Sequence, residues 1–319
     1  MLRFIVRRLV GMVFVLFIVS VLVFVIFNVI PNSPPAQRLA GKNATPVLVK
    51  SIEEEWGFDE PLPVQYATMM KKVFTGELIQ YSPRIPVNEQ IEEGIPATFS
   101  LSIGAGIIWL GFGLLLGYLS AVRAGGKLDK LLTVVAIAGI SIPVFLIAPV
   151  LIYFLTYKLE IFPNGGYVKL TSDPWEWLTH LILPWFTLAV LSIGFYSRVL
   201  RSNMLDAMNE DYVRTARAKG LSERQVMTRH VLRNSLIPII TLFGLDFGAT
   251  IAGTAIITEV LYNIPGVGYY AAHAISNLEL PPIMGVTLYG AFFVVFFNAV
   301  VDIGYAYLDP RVRLGASAQ

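Results

Sequence analysis

The chain reads as an all-α polytopic membrane protein with six transmembrane helices, and three observations predict this. Hydrophobic residues fill 55% of its 319 positions. Charged residues fill only 14%, against about a quarter in soluble domains. Uncharged apolar runs recur along the whole length, and the mean hydropathy is +0.65. A disordered chain, a nucleic-acid-binding module and a secreted scaffold are all excluded by this balance. Cysteine is absent, which removes a disulfide framework, a zinc–thiolate site and a thiol nucleophile. The net charge of +2 says little; its distribution says more.

A transmembrane helix needs roughly 20 mostly apolar residues. The first run is Leu9–Ile30, preceded by Arg3, Arg7 and Arg8. A cleavable signal core is only about 7–15 residues and ends at small residues. This run is longer and ends at Pro31-Asn32-Ser33-Pro34-Pro35, so it reads as an uncleaved first span. The others are Ala97–Val122, Leu131–Tyr157, Leu178–Val199, Leu236–Ile257 and Ile283–Leu308. Residues 1–30 thus form the amino end and first span, and 31–96 an external region with short helices around Val47–Trp56 and Pro63–Phe74. Residues 97–308 form the five-helix core, and 309–319 a tail.

Lysine and arginine set the orientation. Sixteen of the 24 lie at the two termini and in the loops Arg123–Lys130 and Arg198–Arg233, which are therefore expected to be cytoplasmic. The opposite segments carry 14 Asp and Glu. Prolines are expected to break helices, Pro143 and Pro149 in the third span and Pro184 in the fourth, while Pro238 sits at the start of the fifth. Gly113 and Gly117 in the second allow close helix packing.

Reactive groups are scarce. His180, His230 and His273 sit in separate segments and form no metal pair. Gly139-Ile140-Ser141 lacks the second glycine of a nucleophile elbow. Gly41-Lys42-Asn43 and Gly126-Lys127-Leu128 lack the upstream glycine and following Ser/Thr of a phosphate loop. No catalytic or metal-ligating residue is assigned, and no cofactor is expected in this chain. Two acids lie within spans, where burial of a charge is costly. Asp302 reads as a structural residue near the cytoplasmic end. Asp246, flanked by Gly244 and Gly248, is either a helix–helix hydrogen-bond partner or a pathway residue.

The most specific segment is Asn209–Pro238, NEDYVRTARAKGLSERQVMTRHVLRNSLIP. Glu210 and Asp211 suit a helix amino end, and Arg217 and Lys219 suit its carboxyl end. Gly220 falls where a helix stops in the left-handed conformation. Ser222 with Gln225 makes a capping-box pattern that starts a second helix running into the fifth span. Helix, glycine turn, helix is the expectation; an amphipathic linker lying on anionic lipid is the plainer alternative.

This segment resembles the cytoplasmic loop of permease subunits of ABC importers, whose pattern is E-A-A, three residues, G, nine residues, I-x-L-P. Ala216, Gly220 and Leu232 match; Arg214 and Thr215, His230 and Arg233 depart from it. Y-V-R-T-A-R-A-K-G-L followed by H-x-L-R-N-S-L-I-P resembles the dipeptide, oligopeptide and nickel branch. So do Gly57–Tyr66 (GFDEPLPVQY), Glu259–Gly268 (EVLYNIPGVG) and Leu308–Arg313 (LDPRVR), in the order of that branch's first-type (B) subunits. Pro31-Asn32-Ser33-Pro34 stands where the family usually has P-G-D-P.

The resemblance implies a type I importer fold and a permease subunit working in the bacterial or archaeal cytoplasmic membrane. Its partners would be a sister permease, two ATPase subunits that hold ATP and Mg, and an external solute-binding protein. Tyr212, Arg214, Thr215, Ala216 and Gly220 become the expected ATPase-coupling residues of a loop at about 200–235. Candidate pathway or gate residues are Pro143, Asp246, Gly248, Tyr262, Pro265, Gly266 and Gly268. Thr258–Pro282, too interrupted for a seventh span, is expected to form an outer gate, with a packed loop as the alternative. Its Tyr262, Tyr269 and Tyr270 suit a membrane–water interface. Peptides are the expected substrate; nickel, glutathione and oligosaccharides remain alternatives within the architecture. A stand-alone secondary transporter is the rival class, with only Asp246 to couple it.

Overall fold

Proline, glycine and capping residues punctuate a chain that is otherwise continuous helix, and the computed structural model follows that punctuation closely. It describes residues 2–30, 34–41, 44–81 and 84–308, with side chains for 4–304 of these. Among the described residues, five helices are long and apolar enough to cross a membrane, and a bent pair makes a sixth candidate span. The residues cluster into two compact units. The first comprises Met1–Ser100, Gly165–Lys169 and Gly248–Ala299; the second comprises Leu101–Asn164, Leu170–Phe247 and Val300–Gln319.

In the first unit, α1 (Leu2–Phe24) ends in a π-helical turn, Val25–Val29. Most of its side chains face outward, as an apolar helix in lipid allows. Short helices α2 (Pro35–Leu39), α3 (Pro46–Trp56) and α4 (Leu62–Thr75) follow. Thr45 caps α3 by accepting from Leu48 N, and left-handed Gly57 ends it. These helices bury Ile52, Trp56, Met69 and Leu78 in a core with Val23, Phe24 and Met284. Lys72 meets Glu55 at 2.6 Å and lies over the Trp56 ring. The two helices expected in this region are present. A two-stranded antiparallel hairpin, β1 (Ile79–Tyr81) with β2 (Arg84–Pro86), was not expected.

Next comes α5 (Val87–Val122), a single 36-residue helix that contains Pro96. It starts ten residues before the expected span. Its later part belongs to the second unit and packs on α8 (Pro174–Ala207). A Cβ at Gly113 would lie 2.8 Å from Tyr196 Cβ, and one at Gly117 2.6 Å from Ser197 O. The glycine pair therefore serves packing inside this chain.

The third span is the bent pair. Helix α6 (Lys127–Ser141) stops at Ile142, and α7 (Val144–Leu151) restarts after Pro143 at an angle of 98°. Proline pushes the residue before it out of the helical region, and Ile142 is extended (φ −90°, ψ 118°). Pro149, by contrast, lies inside α7, which runs on into a π-helical segment, Ile152–Lys158. Pro184 likewise lies inside an unbroken α8, and Pro238 inside α11 (Leu232–Ala249). The breaks expected at Pro149 and Pro184 do not occur, and Pro238 lies near the start of its helix as expected. Each removes one backbone bond, a loss that neighbouring groups in a helix bundle absorb.

After α8 come α9 (Asp211–Ala218) and α10 (Glu223–Gln225), which continues through a π-helical turn, Val226–Val231, into α11. A second such turn, Thr250–Thr254, ends the fifth span. Then come α12 (Ile256–Leu261), α13 (Val267–Asn277) and α14 (Leu280–Leu308), the last carrying the sixth span. Residues 31–33 of the first proline turn, 42 and 43, and 309–319, which include most of LDPRVR, lie outside the described residues.

Candidate functional site

Two segments flank the fifth span, one on each side along the chain, and both turn on glycine. Before the span, α9 starts with Asp211 in its first turn and ends with Arg217 in its last, as the dipole favours. Val213 and Ala216 are buried on its inner face. Tyr212, Arg214 and Thr215 lie on the outer face, and Gly220 is exposed. Gly220 takes φ +77°, a conformation that costs a side-chain-bearing residue about 1–2 kcal/mol. Beyond it the capping box is formed: Ser222 N donates to Gln225 Oε1 at 3.2 Å. Arg217 closes the turn with a two-pronged bond to Glu223, at 2.8 and 3.1 Å. From Glu223 a continuous helix runs as far as Ala252, where the non-helical backbone of Gly253 interrupts it. Loop and span are therefore one mechanical piece.

The helix that delivers this loop is tied down by a group that no local pattern marked. The Asp129 carboxylate, almost fully buried, accepts from Arg201 Nε at 2.7 Å and Nη2 at 2.8 Å. It also accepts from Gly125 N at 2.8 Å and from the Ser120 hydroxyl. The ends of α5, α6 and α8 meet at one ion.

After the span, α12 leads through Tyr262–Gly266 to α13. Tyr262 is buried, with its carbonyl accepting from Gly166 N at 2.8 Å, so it does not sit at an exposed interface as expected. Tyr269 and Tyr270 are half-buried and Pro265 is exposed. Gly266 precedes α13 and has no side chain with which to cap it. The cap comes from elsewhere: Val267 N donates to Thr98 Oγ1 at 2.9 Å, and Tyr269 N to Glu259 Oε2 at 2.8 Å. Thr98 in turn donates to Glu259 Oε1 at 2.7 Å. Burial pushes the Glu259 carboxyl up to about 7, opposed by the bonds from Thr98 and from the Tyr269 and Gly268 N–H groups.

Among the other candidates, Asp246 accepts from Tyr196 Oη at 2.7 Å, a helix–helix hydrogen bond between α11 and α8. Gly248 is a close contact: a Cβ there would fall 2.6 Å from Phe297 Cβ. Pro143 sits at the bend of the third span. Asp302 is half-buried, and the tail residues expected beside it lie outside the described side chains. The structure thus gathers Tyr262, Pro265, Gly266 and Gly268 into one segment, while Asp246 and Pro143 belong to the other unit. Thr98, Glu259, Asp129 and Arg201 were missed. The one available signal was Glu259, the single Asp, Glu, Lys or Arg in the run Gly248–Leu278.

Residues 113–314 match the family described as binding-protein-dependent transport system inner membrane component, and residues 1–102 match its N-terminal companion. The chain belongs to this family of transport permeases. It is 36% identical to the probable peptide ABC transporter permease protein y4tP of Sinorhizobium fredii, over 97% of this chain and 99% of that one. It is 34% identical to the dipeptide transport system permease protein DppB of Bacillus subtilis, over 98% and 99%. The glutathione transport system permease protein GsiC of Escherichia coli is 33% identical, over 98% and 99%.

Proposed function

We propose that this chain is one of two permease subunits of an ATP-driven importer that carries peptides across a prokaryotic cytoplasmic membrane. A sister permease completes the pathway, two ATPase subunits supply ATP and Mg, and a solute-binding protein delivers the substrate. Both termini and the α9 loop face the cytoplasm; the 31–96 region and the α12–α13 segment face outward. The lysine and arginine bias supports this orientation, and the relatives named for peptides and dipeptides support the substrate.

The observation that carries the reading is the α9 loop. Tyr212, Arg214, Thr215 and Gly220 present an exposed, basic and partly aromatic surface, suited to a groove on an ATPase. Ala216 contributes from beneath, where its small side chain lets α9 lie close on its own support. Because the helix is continuous from Glu223 to Ala252, a push on α9 passes into the fifth span. The Asp129–Arg201 clamp holds the end of α8, so the same push reaches the fourth. In this reading the chain itself hydrolyses nothing, since its two Gly-Lys turns lack the rest of a phosphate loop.

The test is reconstitution in liposomes. Uptake of labelled di- and oligopeptides is expected only with all the partners and ATP present, and the purified chain alone is expected to release no phosphate from ATP. ATP hydrolysis by the pure single chain, or uptake without ATP, overturns the proposal. Uptake of glutathione but not of other peptides replaces the substrate while keeping the mechanism.

A further inference from the structure

A helix begins with N–H groups that have no partner within it, and α13 satisfies its own in an unusual way. Local caps come from the residue just before the helix; here that residue is Gly266. The hydroxyl of Thr98, more than 160 residues away in the chain, accepts from Val267 N and donates its own proton to Glu259. Glu259, from α12, takes the N–H groups of Gly268 and Tyr269. The first three N–H groups of α13 are thus held by two side chains, and one of these comes from α5.

The glycines of the segment are shaped to this arrangement. A Cβ at Gly266 would lie 2.4 Å from the Glu259 carboxylate, and one at Gly268 2.9 Å from its Oε2. One helical turn before Thr98, a Cβ at Gly94 would lie 2.8 Å from Val267 N. Positions four apart share a helix face, so Gly94 and Thr98 form one docking edge of α5.

The carboxylate is not a ligand site. Glu259 and Thr98 are buried, and the adjoining cavity of about 10 Å³ has room for roughly one water molecule. Nor is it a simple strut. Among the described residues no cation pairs with it. The hydrogen bonds gained on closing are offset by the water the carboxylate gives up, so the closed arrangement is directional yet small in net energy. That suits a part that must let go. A break lies close by, at Gly253, whose φ of +157° and ψ of −10° interrupt the helix just before α12.

We propose that Glu259 and Thr98 form a latch that holds α13 against α5 in the resting transporter and releases when the segment moves during transport. The proposal rests on the reading of this segment as the outer gate. Glu259 and Thr98 act as positioning residues through α13, without touching substrate.

The reporter is a cysteine at Val267, which is 1% exposed, in this otherwise cysteine-free chain. Labelling with a membrane-impermeant thiol reagent is measured in the assembled importer, at rest and trapped with ATP and binding protein. The reference is expected to be shielded at rest and labelled when trapped. Thr98→Val and Glu259→Gln, each added to the reporter, are expected to raise resting labelling by about tenfold. That is the lower end of the shift for losing a hydrogen bond to a charged group, and Thr98→Val loses the bond from Val267 N as well. ATP hydrolysis should become less dependent on the binding protein. Thr98→Ser, which keeps the hydroxyl, should restore both.

Resting labelling as low in Thr98→Val as in the reference overturns the latch, and so does Thr98→Ser behaving like Thr98→Val. The Thr98 pair decides this even where Glu259→Gln fails to assemble. Failure of the gate reading looks different: the reference itself is then labelled equally in both states, and the latch falls with it.

Discussion

Before the fifth span, α9 turns at Gly220 into a helix closed by Ser222 and Gln225; after it, α12 turns at Gly266 into α13, closed by Thr98 and Glu259. The two devices share a plan, short helix, glycine turn, helix, but not a source of order. The hydrogen bonds described for the first turn span six residues or fewer, the Arg217–Glu223 pair being the longest. The second depends on a hydroxyl from another helix and on a carboxylate kept from water. A locally closed turn stays rigid while its surroundings move, as a coupling element must. A turn closed from a distance comes undone when two helices part, as a gate must.

Three substitutions sharpen this contrast. The largest effect is expected from Gly266→Ala. The new methyl would fall on the Glu259 carboxylate, and overpacking of this kind costs about 1–3 kcal/mol. The α12–α13 segment should loosen, seen as resting labelling of a Val267 cysteine, while the ATPases still co-purify. Gly220→Val comes next. It forces a β-branched residue into the left-handed region at about 1–2 kcal/mol, and should reduce ATPase co-purification and uptake with the helices still inserted. The smallest effect belongs to Arg217→Ala. Its ion pair with Glu223 is exposed, and such pairs contribute roughly 0.5 kcal/mol, so uptake should fall by less than about threefold. A loss as deep as that of Gly220→Val would mean that the ion pair, rather than the glycine backbone, closes the turn.

What was legible in the sequence follows the same division. The loop before the fifth span was readable to the residue, because Gly220, Ser222 and Gln225 act on neighbours. The span count, the two helices of the 31–96 region and the break at Pro143 were readable for the same reason. Pro149 and Pro184 misled because a proline signals a lost hydrogen bond, and only the packing around it decides whether the helix breaks. The Asp129–Arg201 clamp joins residues 72 apart, and the Thr98–Glu259 bond joins residues 161 apart. No local pattern encodes such pairs. Asp246 stood open between two roles, and its bond to Tyr196 supplies the structural one.

The central claim is that movement of the α9 loop is transmitted through the fifth span to the α12–α13 segment. Labelling of the Val267 cysteine in the complete importer, with and without Gly220→Val, tests it most directly. Trapping with ATP and binding protein should change the labelling several-fold when Gly220 is intact and leave it at the resting level in Gly220→Val. An equal response in both would show that the loop does not drive the gate.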